Sequence, residues 1–287
     1  MSHLIAYLGN EPENLSCALF SARNALYTRD PRGVDGWAVG FIQGGDVLLQ
    51  KRPRAEAAEV DLYALVHELK ADAMVARVGF GHQGNITAEN ADPFRFRSWL
   101  FGSVGTVPAF EVFRDKLLEA VPDFLRRNIR GSSPSKHLFH LFLAYLHDAG
   151  LLDVPSPGPA EIKTALEGTL SFVRRLVADA SPVESGAAKP AIELALVTTN
   201  GRSLVATSMS HPLQYLRVDG ISDCPVCRNR AQHDGNGRRI SHDALRAVIL
   251  EARDNGQGHP GWRSVPDHEA LVIGADRVPR VSSLGLS

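Results

Sequence analysis

The sequence has little of what marks the easily classified proteins. It holds three cysteines, Cys17, Cys224 and Cys227, which cannot all pair with one another. A disulfide framework is excluded, and the thiols fit a reducing compartment, so the expected location is the cytoplasm. Charge of one sign is also missing, because 31 Lys and Arg stand against 32 Asp and Glu. A nucleic-acid binder would carry a basic excess or a basic run, so nucleic acid is not an expected partner. No stretch approaches the ~20 consecutive apolar residues that span a bilayer, and the opening MSHLIAYLGN lacks the basic leader and cleavage box of a signal peptide. A membrane is not expected either. What remains is 287 residues with 44% hydrophobic content, enough for one large domain or two closely packed halves.

The run 3–8 (HLIAYL) reads as a buried strand almost at the start of the chain, and 15–26 has helical spacing. A turn-rich DPRGVDG leads into a strand at 37–42, which a Gly-Gly-Asp turn at 44–46 joins to VLLQKR as a hairpin. Residues 55–71 are expected to form an amphipathic helix with Val60, Leu62, Leu65, Val66 and Leu69 near one face. Strands follow at 74–80 and 98–105, then helices at about 109–127, 136–149 and 160–180. Residues 181–190 (SPVESGAAKP) read as an internal linker, after which 191–287 supplies strands completing the same single domain. Among those strands is a hairpin turning at Asn200-Gly201. Strands in runs with helices in blocks indicate an α+β fold rather than strict βαβ alternation.

Four segments in order carry a family resemblance: the start MSHLIAYLG, Asp35-Gly36-Trp37-Ala38-Val39-Gly40, Asn90-Ala-Asp-Pro-Phe94, and Trp99-Leu-Phe-Gly-Ser-Val-Gly-Thr-Val107. Together they resemble class II glutamine amidotransferases, in the small stand-alone branch similar to the γ-glutamyl hydrolase of ergothioneine biosynthesis. Gly261-Trp262-Arg263-Ser264-Val265-Pro266 looks like the tail of such proteins. The resemblance implies an N-terminal-nucleophile hydrolase fold, a four-layer αββα sandwich of two antiparallel sheets with outer helices. It also implies a nucleophile at residue 2, exposed by removal of Met1 and activated by its own α-amine, which titrates near pH 8.

At the working positions this sequence departs from the family pattern. Residue 2 is Ser2 where the family has Cys. The Arg that clamps the glutamine α-carboxylate falls on Gly79, eleven positions before Asn90, with Arg77 in place of the neighbouring His and His82 in place of a Thr. Arg77 is two strand steps away, roughly 6.6 Å, and reads either as a re-sited anion clamp or, preferably, as a charged edge residue. The oxyanion Asn becomes Val104, which has no donor, while Gly105 keeps its backbone N–H. The Asp that grips the substrate amine becomes Pro134. The expected function is therefore a class II amidotransferase-like protein with a degenerate glutaminase site, a non-catalytic pseudoenzyme that binds a protein partner or small-molecule ligand. The alternative is an amide hydrolase using Ser2, with Arg77 and His82 replacing lost groups.

Two clusters allow metal readings. Cys224-Pro-Val-Cys227 has the spacing of a zinc knuckle, with His211, His233 and His242 within reach in sequence. No second Cys pair accompanies it, so the preferred reading is a loop pinned by two small thiols, with no cofactor, and zinc as the alternative. His137, His140 and His147 share a helix without a third ligand and read as a solvated polar face. Asp35 reads as a turn residue, Trp37 and Trp99 as core.

Overall fold

A computed structural model describes residues 2–53, 57–80, 87–180, 191–228, 240–254 and 258–286. The expected linker 181–190, His82 and His233 lie outside these residues. The chain starts with β1 (His3–Gly9), a single 3-10 turn (Pro12–Asn14), α1 (Leu15–Phe20), β2 (Tyr27–Val34), β3 (Trp37–Gln43) and β4 (Asp46–Arg52). Next come β5 (Ala57–Asp61), α2 (Leu62–Val66), β6 (Ala73–Val78), β7 (Phe94–Phe96) and β8 (Trp99–Thr106). A helical block follows: α3 (Phe110–Glu119), α4 (Asp123–Arg126), α5 (Pro134–Asp148) and α6 (Pro159–Ala180). The chain finishes with β9 (Glu193–Thr199), β10 (Leu204–Met209), β11 (Leu213–Ile221), β12 (His242–Arg253), β13 (Arg263–Val265), β14 (Glu269–Ile273) and β15 (Pro279–Ser283).

The fold is α+β with antiparallel sheets. One sheet runs β13-β11-β12-β1-β6-β3-β4, a second β15-β14-β10-β9-β8-β7, and β2 pairs β5 in a small ribbon. The period-two alternation of the strands explains how both faces of each large sheet are buried. In β1, Leu4, Ala6 and Leu8 pack with Leu100, Val104 and Val197 of the second sheet. Ile5 and Tyr7 point the other way, onto Leu15, Leu19, Leu62 and Val66 of α1 and α2. In β8, Trp99 and Phe101 turn toward Phe139 and Phe142 of α5, and Trp99 meets Phe142 edge-on at 5.4 Å. Residue 3 thus begins a central strand whose neighbours on either side are β6 and β12, far apart in sequence.

Three expectations fail for identifiable reasons. The helix expected over 55–71 is β5 followed by the short α2, because Ala57–Asp61 pairs with β2, the segment that read as turn-rich. Helical spacing and a half-buried edge ribbon are hard to separate over so few residues, and pairing overrides propensity. The helix expected over 109–127 breaks after Glu119, with Pro122 at the N-cap position of α4. His137 and His140 are not a solvated face. Both are buried, with Nδ1 of each 2.9 Å from the carbonyl four residues back, and only His147 is exposed. Trp37 and Trp99 are core.

Candidate functional site

The antiparallel registers fix the neighbours of residue 2. His3 pairs with Val78 on one side and Arg253 on the other, so one further step sets Ser2 between Gly79 and Asp254. Ser2 is buried, and its backbone N–H donates to Oδ2 of Asp254 at 2.8 Å. Asp254 also faces His211, whose Nε2 lies 3.5 Å from Oδ1. The His211 contact, with the Ser2 N–H assisting against burial, holds the Asp254 carboxyl below its ordinary range. Gly79 has φ +72 and donates its N–H to Gly36 O, while the Asp35 carboxylate accepts from Phe80 N–H at 2.6 Å. Asp35 thus fixes the end of β6.

Arg77 lies inside the sheet and is not an edge residue, since β6 runs between β1 and β3. Leu4, Arg77, Ala38 and Lys51 stand side by side across four strands, on the face turned toward the second sheet. The guanidinium, on a residue only 8% exposed, crosses to that sheet. It donates to Gly79 O at 3.1 Å and to Ser103 O, and lies 3.5 Å from Asp92 Oδ2. Asp92 also accepts from Ser103 N–H at 2.7 Å, and Ser103 Oγ meets Ser135 Oγ at 2.6 Å. The Asn90-to-Phe94 motif is therefore a joint, in which Asn90 Oδ1 accepts from Ser132 and Ser133 N–H ahead of α5. The cation is bound by the protein's own oxygens, with Asp92 as its buried counter-ion.

The remaining family positions have local explanations. Val104 is 1% exposed and packs in the core between the sheets, so it offers nothing to a developing oxyanion. Gly105 has φ +118, and a Cβ there would sit 1.9 Å from Glu193 O. Only glycine fits, whatever its N–H does. Pro134 occupies the first turn of α5 behind the Ser133 cap, which accepts from Lys136 N–H at 3.3 Å.

Sequence reasoning missed several members of this region. Lys51 donates to Ala91 O at 2.5 Å and Ala88 O at 3.2 Å, and burial, reinforced by Lys136, pushes its amine down to about 8. The Lys51 and Lys136 ammonium groups lie 5.0 and 4.4 Å from the Phe94 ring centroid. On the other face of β1, buried His3 sits 2.9 Å from Glu251 Oε1 and 2.9 Å from Thr28 Oγ1. Glu251 also meets Arg253 at 2.9 Å, Gln214 at 2.7 Å and His259 at 3.1 Å. These groups converge from separate strands and a loop, which no local motif announces. An opening of about 650 Å³ lined by Gln43, Asp46, Leu48, Arg95 and Arg97 lies at the other end of β3 and β4, away from Ser2. Cys224 and Cys227 are joined by His242 and by Cys17, which had not been expected there, whereas His211 stands apart beside Asp254.

The fold is that of the class II glutamine amidotransferase domains. Among solved structures, a glutamine aminotransferase class-II domain protein from Silicibacter pomeroyi matches with TM-score 0.57 at 18% identity, covering 99% of both chains. A protein described as a predicted glutamine amidotransferase from Pseudomonas aeruginosa matches with TM-score 0.53 at 15% identity, covering 99% of this chain and 96% of its own. In sequence, the probable glutamine amidotransferase DUG3 of Saccharomyces cerevisiae is 25% identical over 289 residues, 95% of this chain and 78% of its own length. No protein-family model matches the chain. No helix among the described residues is long and apolar enough to cross a membrane.

Proposed function

We propose that this chain is a class II glutamine amidotransferase-like protein whose glutaminase site does not hydrolyse glutamine, and which acts by binding a protein partner or a small-molecule ligand. The observation that carries this reading is the commitment of Arg77 to Gly79 O, Ser103 O and Asp92, which engages its Nε and Nη1 groups with the protein's own oxygens and anchors the side chain between the sheets. Two further features support it. Val104 puts apolar surface where an oxyanion donor is needed. Asp254 lies against the nitrogen of residue 2, and a carboxylate at 2.8 Å would hold an exposed α-ammonium protonated, opposing its use as a base.

The test combines intact-mass measurement, which reports whether Met1 is retained, with assays of ammonia from glutamine and glutamate from γ-glutamyl amides. Release at no more than the buffer rate is expected, and release above it overturns the reading. The alternative, a hydrolase using Ser2, draws on the Asp254 and His211 pair beside residue 2. It requires Met1 to be absent and any activity to vanish in Ser2→Ala.

A further inference from the structure

Three segments distant in sequence bring four soft or borderline ligand atoms together. Cys17 lies on the buried face of α1 between Leu15 and Ala18. Cys224 and Cys227 flank the start of a helical turn at 225–228, in which Arg228 N–H donates to Cys224 O. The i,i+3 spacing turns both thiols to one side. His242 opens β12 and pairs with Ile221 beyond the bulge in β11, which sets its ring beside that turn. Cys224 N–H donates to Ile240 O at 2.9 Å, holding the turn to the strand that carries the histidine.

The Sγ atoms of Cys17, Cys224 and Cys227 and a ring nitrogen of His242 all lie within 4.8 Å of one another. Cys17 Sγ and Cys227 Sγ are 3.5 Å apart, and Cys227 Sγ is 3.3 Å from His242 Nε2. With Zn–S near 2.3 Å and Zn–N near 2.0–2.1 Å, the edges of a regular tetrahedron come to about 3.8 Å between sulfurs and about 3.6 Å between sulfur and nitrogen. The two edges that meet at Cys227 are slightly shorter than these, and the other four lie within 4.8 Å. Cys224 and Cys17 are buried, at 0% and 3% exposure, and thiols are weak hydrogen-bond donors, so mutual contact satisfies them poorly.

We propose that Cys17, Cys224, Cys227 and His242 bind one Zn²⁺ in a closed, structural Cys₃His site. Binding displaces the three thiol protons to solvent and leaves no coordination position for water or substrate. The ion clips α1 to the β11–β12 turn region, joining positions 210 residues apart. It lies beyond the Gly9 end of β1, where Gly9 pairs with Ala247, whereas Ser2 lies at the other end, about 23 Å along the strand. Its metal content can therefore be read independently of any glutaminase assay.

The full chain, purified under reducing conditions without chelators, is expected to contain about one zinc per chain by elemental analysis. Removal by a strong chelator should lower Tm on the order of 10 °C, restored by Zn²⁺ alone. Replacement by Co²⁺ should give thiolate charge-transfer bands and the visible bands of a tetrahedral site. Cys224→Ser and Cys227→Ser should lose the metal. His242→Cys, which preserves four ligands, should keep it with shifted Co²⁺ bands, and serves if the serine variants do not fold. Folded, reduced protein that contains no zinc and takes up no stoichiometric Co²⁺ overturns the proposal. A Cys17–Cys227 disulfide in protein alkylated at lysis does the same.

Discussion

Replacing Arg77 with alanine is expected to lower the unfolding free energy by about 3–5 kcal/mol, the usual range for removing one partner of a buried charge pair. The reason is the company the guanidinium keeps. Arg77 and Asp92 are 8% and 4% exposed, and the same guanidinium serves Ser103 O and Gly79 O. Truncation would leave a buried carboxylate with N–H and hydroxyl donors but without its ion-pair partner, and would strand a carbonyl on β8. For a chain of this size, Tm should fall on the order of 10 °C. Arg77→Lys should lose much of the same stability, since one ammonium cannot span three acceptors fixed around a planar fork. Adding Asp92→Asn to Arg77→Ala should recover part of the loss by removing the unpaired charge. Denaturant titration of the four-member cycle decides the matter, and a loss below about 1 kcal/mol for Arg77→Ala would mean the two sheets are not tied through this residue.

Acid is expected to unfold the protein well above the pH at which its surface carboxylates protonate. Burial pushes His3 and His140 down to about 4 from an ordinary 6.5. His137 moves the same way for the same reason. Between about pH 6.5 and 4 the unfolded chain therefore binds more protons than the folded one, so stability falls as pH falls through that window. Each of the two strongly shifted rings contributes up to about 1.4 kcal/mol per pH unit there, several kcal/mol in total. Burial works against the Glu251 charge, but the His3 N–H and the neighbouring Arg253 outweigh it and hold that carboxyl below its ordinary range. Its stabilisation is present above its unfolded value of 4.5 and is lost at lower pH. Urea unfolding measured from pH 7 to 4 should show the slope, and His140→Leu should remove about half of what the two rings supply. A flat profile between pH 6.5 and 4.5 would show that these rings accept protons in the folded state.

Much of the architecture was legible in local pattern. HLIAYL, WAVGFI and the Asn200-Gly201 hairpin are strands because their alternation or apolar density admits little else, and the structure places β1, β3, β9 and β10 there. The β2–β5 ribbon was not, because DPRGVDG carries turn residues and only its pairing with Ala57–Asp61 makes it extended. At the site, the positions matching the family could be located, and Ser2, Val104 and Pro134 could be seen to depart from its pattern. What surrounds those positions could not be seen in order along the chain. Asp254 reaches Ser2 through strand register, and Asp92 reaches Arg77 by crossing between sheets. Cys17 reaches Cys227 across 210 positions, so a spacing rule that looks for a second nearby cysteine pair passes over it.

The place of β1 in the large sheet also sets an order of events during synthesis. Its edge against β6 can close once residue 78 has left the ribosome, but its other edge belongs to β12, which ends at Arg253. At 5–20 residues per second, roughly 10–35 s separate the two. For that interval a nascent strand of Leu, Ile, Ala and Tyr exposes unpaired N–H and C=O groups, the template on which foreign strands add. The half-made sheet is thus the stage at which this chain is most exposed to aggregation and most in need of a chaperone, whatever the finished molecule binds.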